Sequence, residues 1–251
     1  MPLAPSATGY WRASRAPRHS LTFALPLLLC YELLAFTLSG DSLAGVRNGA
    51  DVLLKSLFVG FGGRDGLVFF GALLLGSGAL LVARDLRRGG RLEPRLFLYM
   101  AAESILYALA FGLVVGTLTG VLLGGLTPAD WSPLALQGGA RLGLPTQLMI
   151  SLGAGIYEEL LFRVLLVGAL AWMARRLFGW QPWASGLFAT LLGAVVFSAF
   201  HYVGPYGDPL ELPSFTFRTL AGLVFSAMYL TRGFGITAWT HALYDVFLTL
   251  G

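Results

Sequence analysis

The sequence predicts an all-α membrane protein, a polytopic bundle of about seven to eight transmembrane helices. Of its 251 residues, 56% are hydrophobic and only 12% are charged, and the mean hydropathy is +0.73. Soluble domains carry roughly 25% charged residues, so this chain has too few polar side chains to cover a water-exposed surface. The composition excludes a water-soluble globular protein and a disordered chain. A disulfide-stapled secreted domain is excluded too, because Cys30 is the only cysteine.

The hydrophobic residues are grouped in runs long enough to cross a bilayer, which takes about 20 mainly apolar residues. Such runs cover residues 21–39, 66–83, 96–125, 146–174, 184–203, 215–231 and 234–250. A further stretch, 43–62, has Arg47, Asp51 and Lys55 among its apolar residues. We expect this stretch to form an interfacial or re-entrant helix, which could count as an eighth element.

The net charge of +4 and the pI near 9.5 arise from arginine-rich loops. A basic protein can bind nucleic acid, but basic loops of a membrane protein face the cytoplasm and anionic lipid. We therefore expect the lipid bilayer, and no nucleic acid, as a partner. An amino terminus inside the cell places most basic loop residues on the cytoplasmic side, among them the arginines of 84–95. This distribution predicts a bacterial cytoplasmic membrane protein with its amino terminus inside.

Several ionisable residues lie within the apolar runs, where each charge costs about 2.5–3.5 kcal/mol on insertion scales. The fourth run contains Glu158, Glu159 and Arg163. Glu159 and Arg163 are four residues apart on one helix face, so we expect them to pair. Glu158 projects roughly 100° away from Glu159 and is predicted to remain available for chemistry. Glu32 and Glu103, in two other runs, are expected to have structural roles.

The chain has three histidines, and two of them lie in apolar runs. His19 belongs to the basic amino-terminal tail and is expected to be solvated. His201 ends the fifth run, and His241 lies in the middle of the last run with Asp245 one helical turn later. If the helices converge, these residues and Glu158 form one polar site within the membrane. Alternatively, each makes an interhelical hydrogen bond that serves packing.

These residues form three patterns in chain order on successive apolar runs. The patterns are E-E-x-x-x-R (Glu158, Glu159, Arg163), F-x-x-x-H (Phe197, His201) and H-x-x-x-D (His241, Asp245). Together they resemble the intramembrane endopeptidases of the CAAX prenyl protease and bacteriocin-processing (CPBP) family, also called the Abi family. The resemblance covers about residues 143–250.

The resemblance implies that Glu158 acts on the catalytic water and that both histidines complete the site. It assigns supporting positions to Glu159, Arg163 and Phe197. The third pattern of the family more often ends in asparagine, so Asp245 is a departure. An ionised carboxylate only accepts hydrogen bonds, so an ionised Asp245 does not supply the oxyanion donor that asparagine would.

Two mechanisms remain open for such a site. In the first, Glu158 is the general base and acid, while His201 and His241 donate to the oxyanion or protonate the leaving amine. In the second, Glu158, His201, His241 and Asp245 supply ligands to a divalent metal such as zinc that keeps an open position. The sequence lacks the H-E-x-x-H signature of soluble zinc proteases. We favour the metal-free mechanism.

Three other functions compete with this interpretation. His201 and His241 could ligate a haem, but that leaves the Glu-Glu-Arg group unexplained. Glu158 could relay protons in a transporter, but inverted repeats are not found in the sequence. A third alternative is a membrane scaffold of the same family that cleaves nothing.

The chain is accordingly divided into a basic tail over 1–20, amino-terminal transmembrane helices over 21–142 and a family-like catalytic core over 143–251, all within one membrane domain. The expected partner is a membrane-associated protein or peptide substrate. Prenylated CAAX tails are implied by the family, whereas bacteriocin leaders or the tails of exported proteins are alternatives for a bacterial chain. Helix directions place the site in the outer half of the membrane, which favours the tails of exported proteins.

Overall fold

The computed structural model describes residues 7–39, 47–125, 142–204 and 207–250. Within these ranges every regular element is a helix, and eight helices follow one another. They are α1 Ala7–Arg15, α2 Pro17–Ser39, α3 Gly49–Arg87, α4 Pro94–Leu122, α5 over 144–178, α6 Pro182–Phe200, α7 Leu212–Arg232 and α8 Phe234–Leu250. The predicted all-α class is confirmed.

Four of the described helices are long and apolar enough to cross a membrane. They are α2 over Pro17–Leu38, α3, α4 and α6. The other runs predicted to span correspond to α5, α7 and α8. α5 and α7 contain buried charged side chains, and α8 has only 17 residues. The chain is an integral membrane protein whose more polar helices lie among the apolar ones.

α5 is one continuous helix that changes its winding along its length. It begins as an α-helix over Leu144–Gly153, continues as a π-helix over Ala154–Val167 and ends as an α-helix over Gly168–Phe178. π-Helical winding is rare in proteins, and where it occurs it often coincides with a functional site. The π-helical section contains the Glu-Glu-Arg group, so the candidate residues lie where the helix is irregular.

α3 bends sharply at Gly63, whose backbone angles are φ 56° and ψ −133°. The rings of Phe58 and Phe70 are 5.1 Å apart, whereas 12 residues of a straight helix span roughly 18 Å. Glycine is the residue that reaches these angles without a steric penalty from Cβ. The bend gives an amino-terminal arm over 49–62 and a carboxy-terminal arm over 64–87. The stretch 43–62, predicted to form an interfacial or re-entrant helix, corresponds from residue 49 on to the amino-terminal arm of α3, and residues 43–46 lie outside the described residues.

α8 lies at the centre of the bundle and packs against α2, α4, α5 and α7. One apolar cluster joins α8 to α2 and α5, with Tyr31 and Tyr157 in edge contact. A second cluster joins α4 to α7 through the stacked rings of Phe111 and Phe225, and α8 joins it through Tyr244, whose ring contacts Phe111. A Cβ at Gly155 of α5 would lie 2.4 Å from the Ala238 carbonyl oxygen. The missing side chain therefore brings the π-helix into close contact with α8.

His19 is buried, and the prediction of a solvated residue is wrong. Its exposed fraction is 0%, and its Nδ1 lies 3.0 Å from the Ala13 carbonyl oxygen. Its Nε2 accepts a hydrogen bond of 2.9 Å from the backbone N–H of Glu93. The reason is that residues 7–39 form helices that fold onto the bundle, so His19 faces inward between α1 and α4.

Glu32 and Glu103 have the structural roles expected of them. Glu32 forms an ion pair of 2.8 Å with Lys55 and accepts a hydrogen bond from the Tyr157 hydroxyl. Glu103 forms an ion pair of 2.5 Å with Arg232 and accepts a hydrogen bond of 2.6 Å from the Tyr10 hydroxyl. Both carboxylates therefore join helices that are distant in the sequence.

Candidate active site

The structure brings Glu158 of α5 next to His201, which follows the last turn of α6. Glu158 Oε2 lies 3.8 Å from His201 Nε2. On the other side of the site, His241 of α8 contacts Glu159, the residue that follows Glu158. Glu158 and His241 are 6% and 5% exposed. The residues predicted from three separate runs therefore meet at one buried place.

The two carboxylate oxygens of Glu158 have different surroundings. Oε1 accepts a hydrogen bond of 2.8 Å from Nδ2 of Asn48. Oε2 is buried and has no hydrogen-bond partner among the described residues. One oxygen is thus held in place, while the other points towards His201 and is available.

His201 is oriented by the main chain of its own helix. Its Nδ1 lies 2.9 Å from the carbonyl oxygen of Phe197, and a carbonyl only accepts, so Nδ1 carries the proton of this bond. In the neutral ring, Nε2 then presents a lone pair to Glu158. The 3.8 Å separation of Nε2 and Oε2 is too long for a direct hydrogen bond. A water molecule beside these two atoms would bond to both.

Glu159 makes two contacts inside the bundle. Its Oε2 pairs with Arg163 Nε at 3.1 Å, as the four-residue spacing predicts. Its Oε1 lies 2.7 Å from His241 Nδ1. A carboxylate on one ring nitrogen fixes the orientation and tautomer of a histidine. Glu159 therefore orients His241 as well as pairing with the arginine.

Aromatic rings separate Arg163 from the two histidines. The Arg163 guanidinium lies 4.4 Å from the centre of the Phe197 ring and 5.4 Å from that of Phe225. Phe197 meets His201 edge-on at 4.9 Å, and Phe225 stacks on His241 at 4.3 Å. The predicted supporting residue Phe197 thus contacts the cation on one face and a histidine at its edge.

Asp245 lies beside His241 without bonding to it directly. Its Oδ2 is 3.7 Å from His241 Nε2, beyond hydrogen-bond length. Because His241 Nδ1 is bonded to Glu159, Nε2 is the nitrogen that faces Asp245 and the site. The side chain of Asp245 is 25% exposed, so it lies at the margin of the site.

Residues 140–247 match the family model described as Rce1-like, type II CAAX prenyl endopeptidase Rce1-like. This stretch, which is less than half of the chain, is similar to that family. The matched range includes all residues of the three patterns, and the resemblance predicted from them is confirmed. No curated protein and no solved structure matches the chain. The description of the matched family is that of a CAAX prenyl endopeptidase.

The candidate site does not have the geometry of a metal centre. A zinc ion needs three or more donor atoms at about 2.0–2.2 Å from one point. Within the described ranges, no group of three or more His, Cys, Asp or Glu side chains is arranged so that it could hold a metal ion. The Nδ1 atoms of His201 and His241 are both taken by protein acceptors. The mechanism below is therefore derived from the side chains themselves.

Sequence reasoning missed two contacts of the candidate site. The bond from Asn48 to Glu158 joins residues 110 positions apart, and Asn48 lies before the matched range. The bond from Glu159 to His241 joins two helices whose relative rotation the sequence does not specify. The presence of Arg47, Asp51 and Lys55 in an apolar stretch was a signal that this segment has polar partners inside the bundle.

Proposed function

We propose that the chain is an intramembrane endopeptidase that hydrolyses a peptide bond near the membrane in a membrane-associated protein or peptide, with Glu158 activating the water. The observation that carries this proposal is the free, buried Oε2 of Glu158, 3.8 Å from Nε2 of His201. The type II CAAX prenyl endopeptidase description of the matched family supports the same reaction.

The first step is attack by a water held between Glu158 and His201. Oε2 and Nε2 each accept one hydrogen bond from this water, so a lone pair of its oxygen can face the substrate carbonyl carbon. Glu158 Oε2 takes a proton as the oxygen–carbon bond forms. The carbonyl π electrons move to the carbonyl oxygen, which becomes the oxyanion of a tetrahedral intermediate.

The second step needs a donor for the oxyanion and a proton for the leaving amine. His241, protonated on both ring nitrogens, donates from Nε2 to the oxyanion while Nδ1–H remains bonded to Glu159. The proton on Glu158 then passes to the amide nitrogen as the carbon–nitrogen bond breaks. The products are a carboxylic acid and an amine, and Glu158 returns to its ionised form.

Asp245 and Arg163 are assigned positioning roles in this reaction. An ionised Asp245 only accepts hydrogen bonds, so we assign it support of the charge on His241 and no donation to the oxyanion. Arg163 balances the charge of Glu159. Neither side chain is required to exchange a proton.

We infer the class of substrate from the membrane topology that we propose. With the amino terminus in the cytoplasm of a bacterial inner membrane, α6 runs outwards and ends at His201 near the outer face. The site then opens away from the cytoplasm. Tails or leaders of exported membrane-associated proteins fit this placement better than prenylated CAAX tails, which lie on the cytoplasmic side.

The test compares membrane-protein termini from cells with the wild-type chain, with Glu158→Gln and with Glu93→Gln. Glu93 is exposed, so its variant makes the same chemical change outside the site. We expect new termini in the wild type and the Glu93→Gln control that disappear in Glu158→Gln at equal protein level. Wild-type processing in Glu158→Gln, or the same termini in cells without the chain, would overturn the proposal and favour a scaffold.

A further inference from the structure

Asn48 connects the candidate catalytic glutamate to the half of the chain that precedes the matched domain. It is the residue that caps α3, and its Oδ1 accepts from the backbone N–H groups of Ala50 and Asp51 at 2.9 and 3.4 Å. Oδ1 is thereby identified as the acceptor end of the amide. Nδ2 is consequently aimed at Glu158 Oε1, 2.8 Å away.

We propose that Asn48 is a positioning residue of the peptidase reaction, which holds Oε1 of Glu158 so that Oε2 faces the water and His201. This inference rests on the proposed function of Glu158. Asn48 is 3% exposed, so solvent does not compete for its amide. A hydrogen bond to a charged acceptor is stronger than one between neutral groups, and this one fixes the plane of the carboxylate.

Polar contacts hold the first turn of α3 in place, and they thereby fix the position of the preceding residue, Asn48. Asp51, one turn into the helix and fully buried, accepts hydrogen bonds of 2.7 Å from the Tyr31 hydroxyl and 2.8 Å from Arg47 Nε. Lys55 adds an ion pair to Asp51 at 2.7 Å. These contacts tie the beginning of α3 to α2, so the Asn48 side chain has little freedom to move away from Glu158.

A glycine on α5 allows Asn48 to approach the catalytic helix. A Cβ at Gly153 would lie 2.7 Å from Cβ of Asn48 and 2.6 Å from a ring carbon of Tyr31. Real side chains do not tolerate such distances, so a larger residue here would push α3 or α2 away from α5. Gly153 is one residue before the π-helical section that contains Glu158.

A positioning role predicts a loss in turnover with little change in substrate binding. Without the amide donor, the Glu158 carboxylate can rotate about its last bond and turn either oxygen towards the water. Misplacement of a reacting group by about 1 Å can cost on the order of 100-fold in rate. The substrate contacts and the fold are not altered by this rotation.

The deciding experiment separates the two functions of Asn48, capping and donation. Asn48→Ser and Asn48→Asp keep a good helix cap, but serine is too short to reach Glu158 and aspartate offers no donor there. Asn48→Ala removes both functions. Kinetics are measured in detergent micelles on a fluorogenic peptide copied from a tail whose cleavage requires Glu158.

We expect Asn48→Ser to lower kcat by about 10- to 100-fold with KM unchanged and with a smaller fall in Tm than in Asn48→Ala. Asn48→Asp is expected to lose more, because two carboxylates then face each other, and Asn48→Ala to lose turnover and thermal stability together. A purely structural role predicts that Tm falls with kcat in every variant. Wild-type kcat in Asn48→Ser, in a chain that Glu158→Gln inactivates, would overturn this inference and leave the proposed function standing.

A thermal double-mutant cycle tests the contact itself without reference to activity. The Tm changes of Asn48→Ser and Glu158→Ala are compared with that of the double variant. Non-additive changes are expected from two residues in direct contact. Additive changes would show that the amide does not hold the carboxylate and would overturn the inference.

Discussion

Glu159 Oε1 lies 2.7 Å from Nδ1 of His241, while the other oxygen of the same carboxylate lies 3.1 Å from Nε of Arg163. One buried carboxylate thus joins the π-helix to the central helix α8 and neutralises a guanidinium. The two consecutive glutamates of the sequence therefore differ in function. Glu159 has His241 at 2.7 Å from one oxygen and the Arg163 cation at 3.1 Å from the other, whereas the nearest ionisable partner of Glu158 Oε2 is His201 at 3.8 Å.

Glu159→Gln should reduce both turnover and stability. The substitution leaves Arg163 as an unpaired buried cation, and breaking a buried pair costs about 3–5 kcal/mol. It also removes the charge that orients His241. We expect lower kcat and a lower Tm, measured by peptide cleavage and by thermal unfolding in detergent.

Glu158→Gln is the matched control for that experiment. It makes the same change one residue earlier, at a carboxylate without an ion-pairing arginine, and should abolish turnover while leaving Tm close to wild type. If Glu159→Gln unfolded at the wild-type temperature, the pair with Arg163 would not contribute to stability as the geometry indicates.

Local sequence patterns predicted the parts of the site that lie within one helix. The pair of Glu159 with Arg163 follows from a four-residue spacing, and His241 with Asp245 share a helix face for the same reason. The family resemblance joined these patterns into one site. All of these predictions use short spacings or a known order of motifs.

Contacts between distant parts of the chain could not be predicted in this way. The bond from Asn48 to Glu158 depends on a bend at Gly63 and on close approach at Gly153. The burial of His19 depends on α1 folding back onto the bundle, and counting basic residues nearby gave the opposite expectation. Both results arise from the packing of helices, which residue spacing within one run does not encode.

Asp245→Asn should retain most activity, whereas Asp245→Ala should lose most of it. Asp245 lies 3.7 Å from His241 Nε2 and makes no direct bond to it. Asparagine has nearly the same shape, and its amide can also donate to an oxyanion. Alanine leaves a gap beside His241. The measurement is kcat for both variants under identical conditions.

Metal analysis of the same purified proteins distinguishes the two mechanisms. We expect wild-type turnover to persist after treatment with a strong chelator, because Glu158 activates the water. Stoichiometric zinc whose removal stops turnover would contradict this mechanism, and loss of activity in Asp245→Asn would then be explained by loss of a carboxylate ligand.

Gly63→Ala should destabilise the protein and lower its activity. Gly63 has φ 56° and ψ −133°, a conformation that costs a residue with a Cβ about 1–3 kcal/mol. The arm over 49–62 begins next to Asn48, so strain at the bend is transmitted to the residue that contacts Glu158. We expect a lower Tm and lower kcat in the assays described above.

Gly71→Ala provides the control, since Gly71 lies within the same helix and a Cβ there meets no atom within 4 Å. Alanine in a helical position should be neutral or slightly stabilising. Equal effects of the two substitutions on Tm would show that the bend does not require glycine.

The proposed topology predicts which loops an impermeant thiol reagent can reach on intact cells. Single cysteines are placed at Arg88, Phe178 and Gly207 in a Cys30→Ser background. Arg88 follows α3 in an arginine-rich loop, Phe178 ends α5 and Gly207 lies between α6 and α7. Because basic loops remain in the cytoplasm, we expect labelling at 207 and none at 88 or 178 until the cells are permeabilised.

The labelling result also bears on the substrate, because His201 is at the end of α6 that leads to Gly207. Labelling at 207 places this end of the site on the non-cytoplasmic face, within reach of exported proteins. Labelling at 88 and 178 but not at 207 would invert the orientation. The site would then open to the cytoplasm, where prenylated tails are found, and the exported substrates proposed above would be wrong.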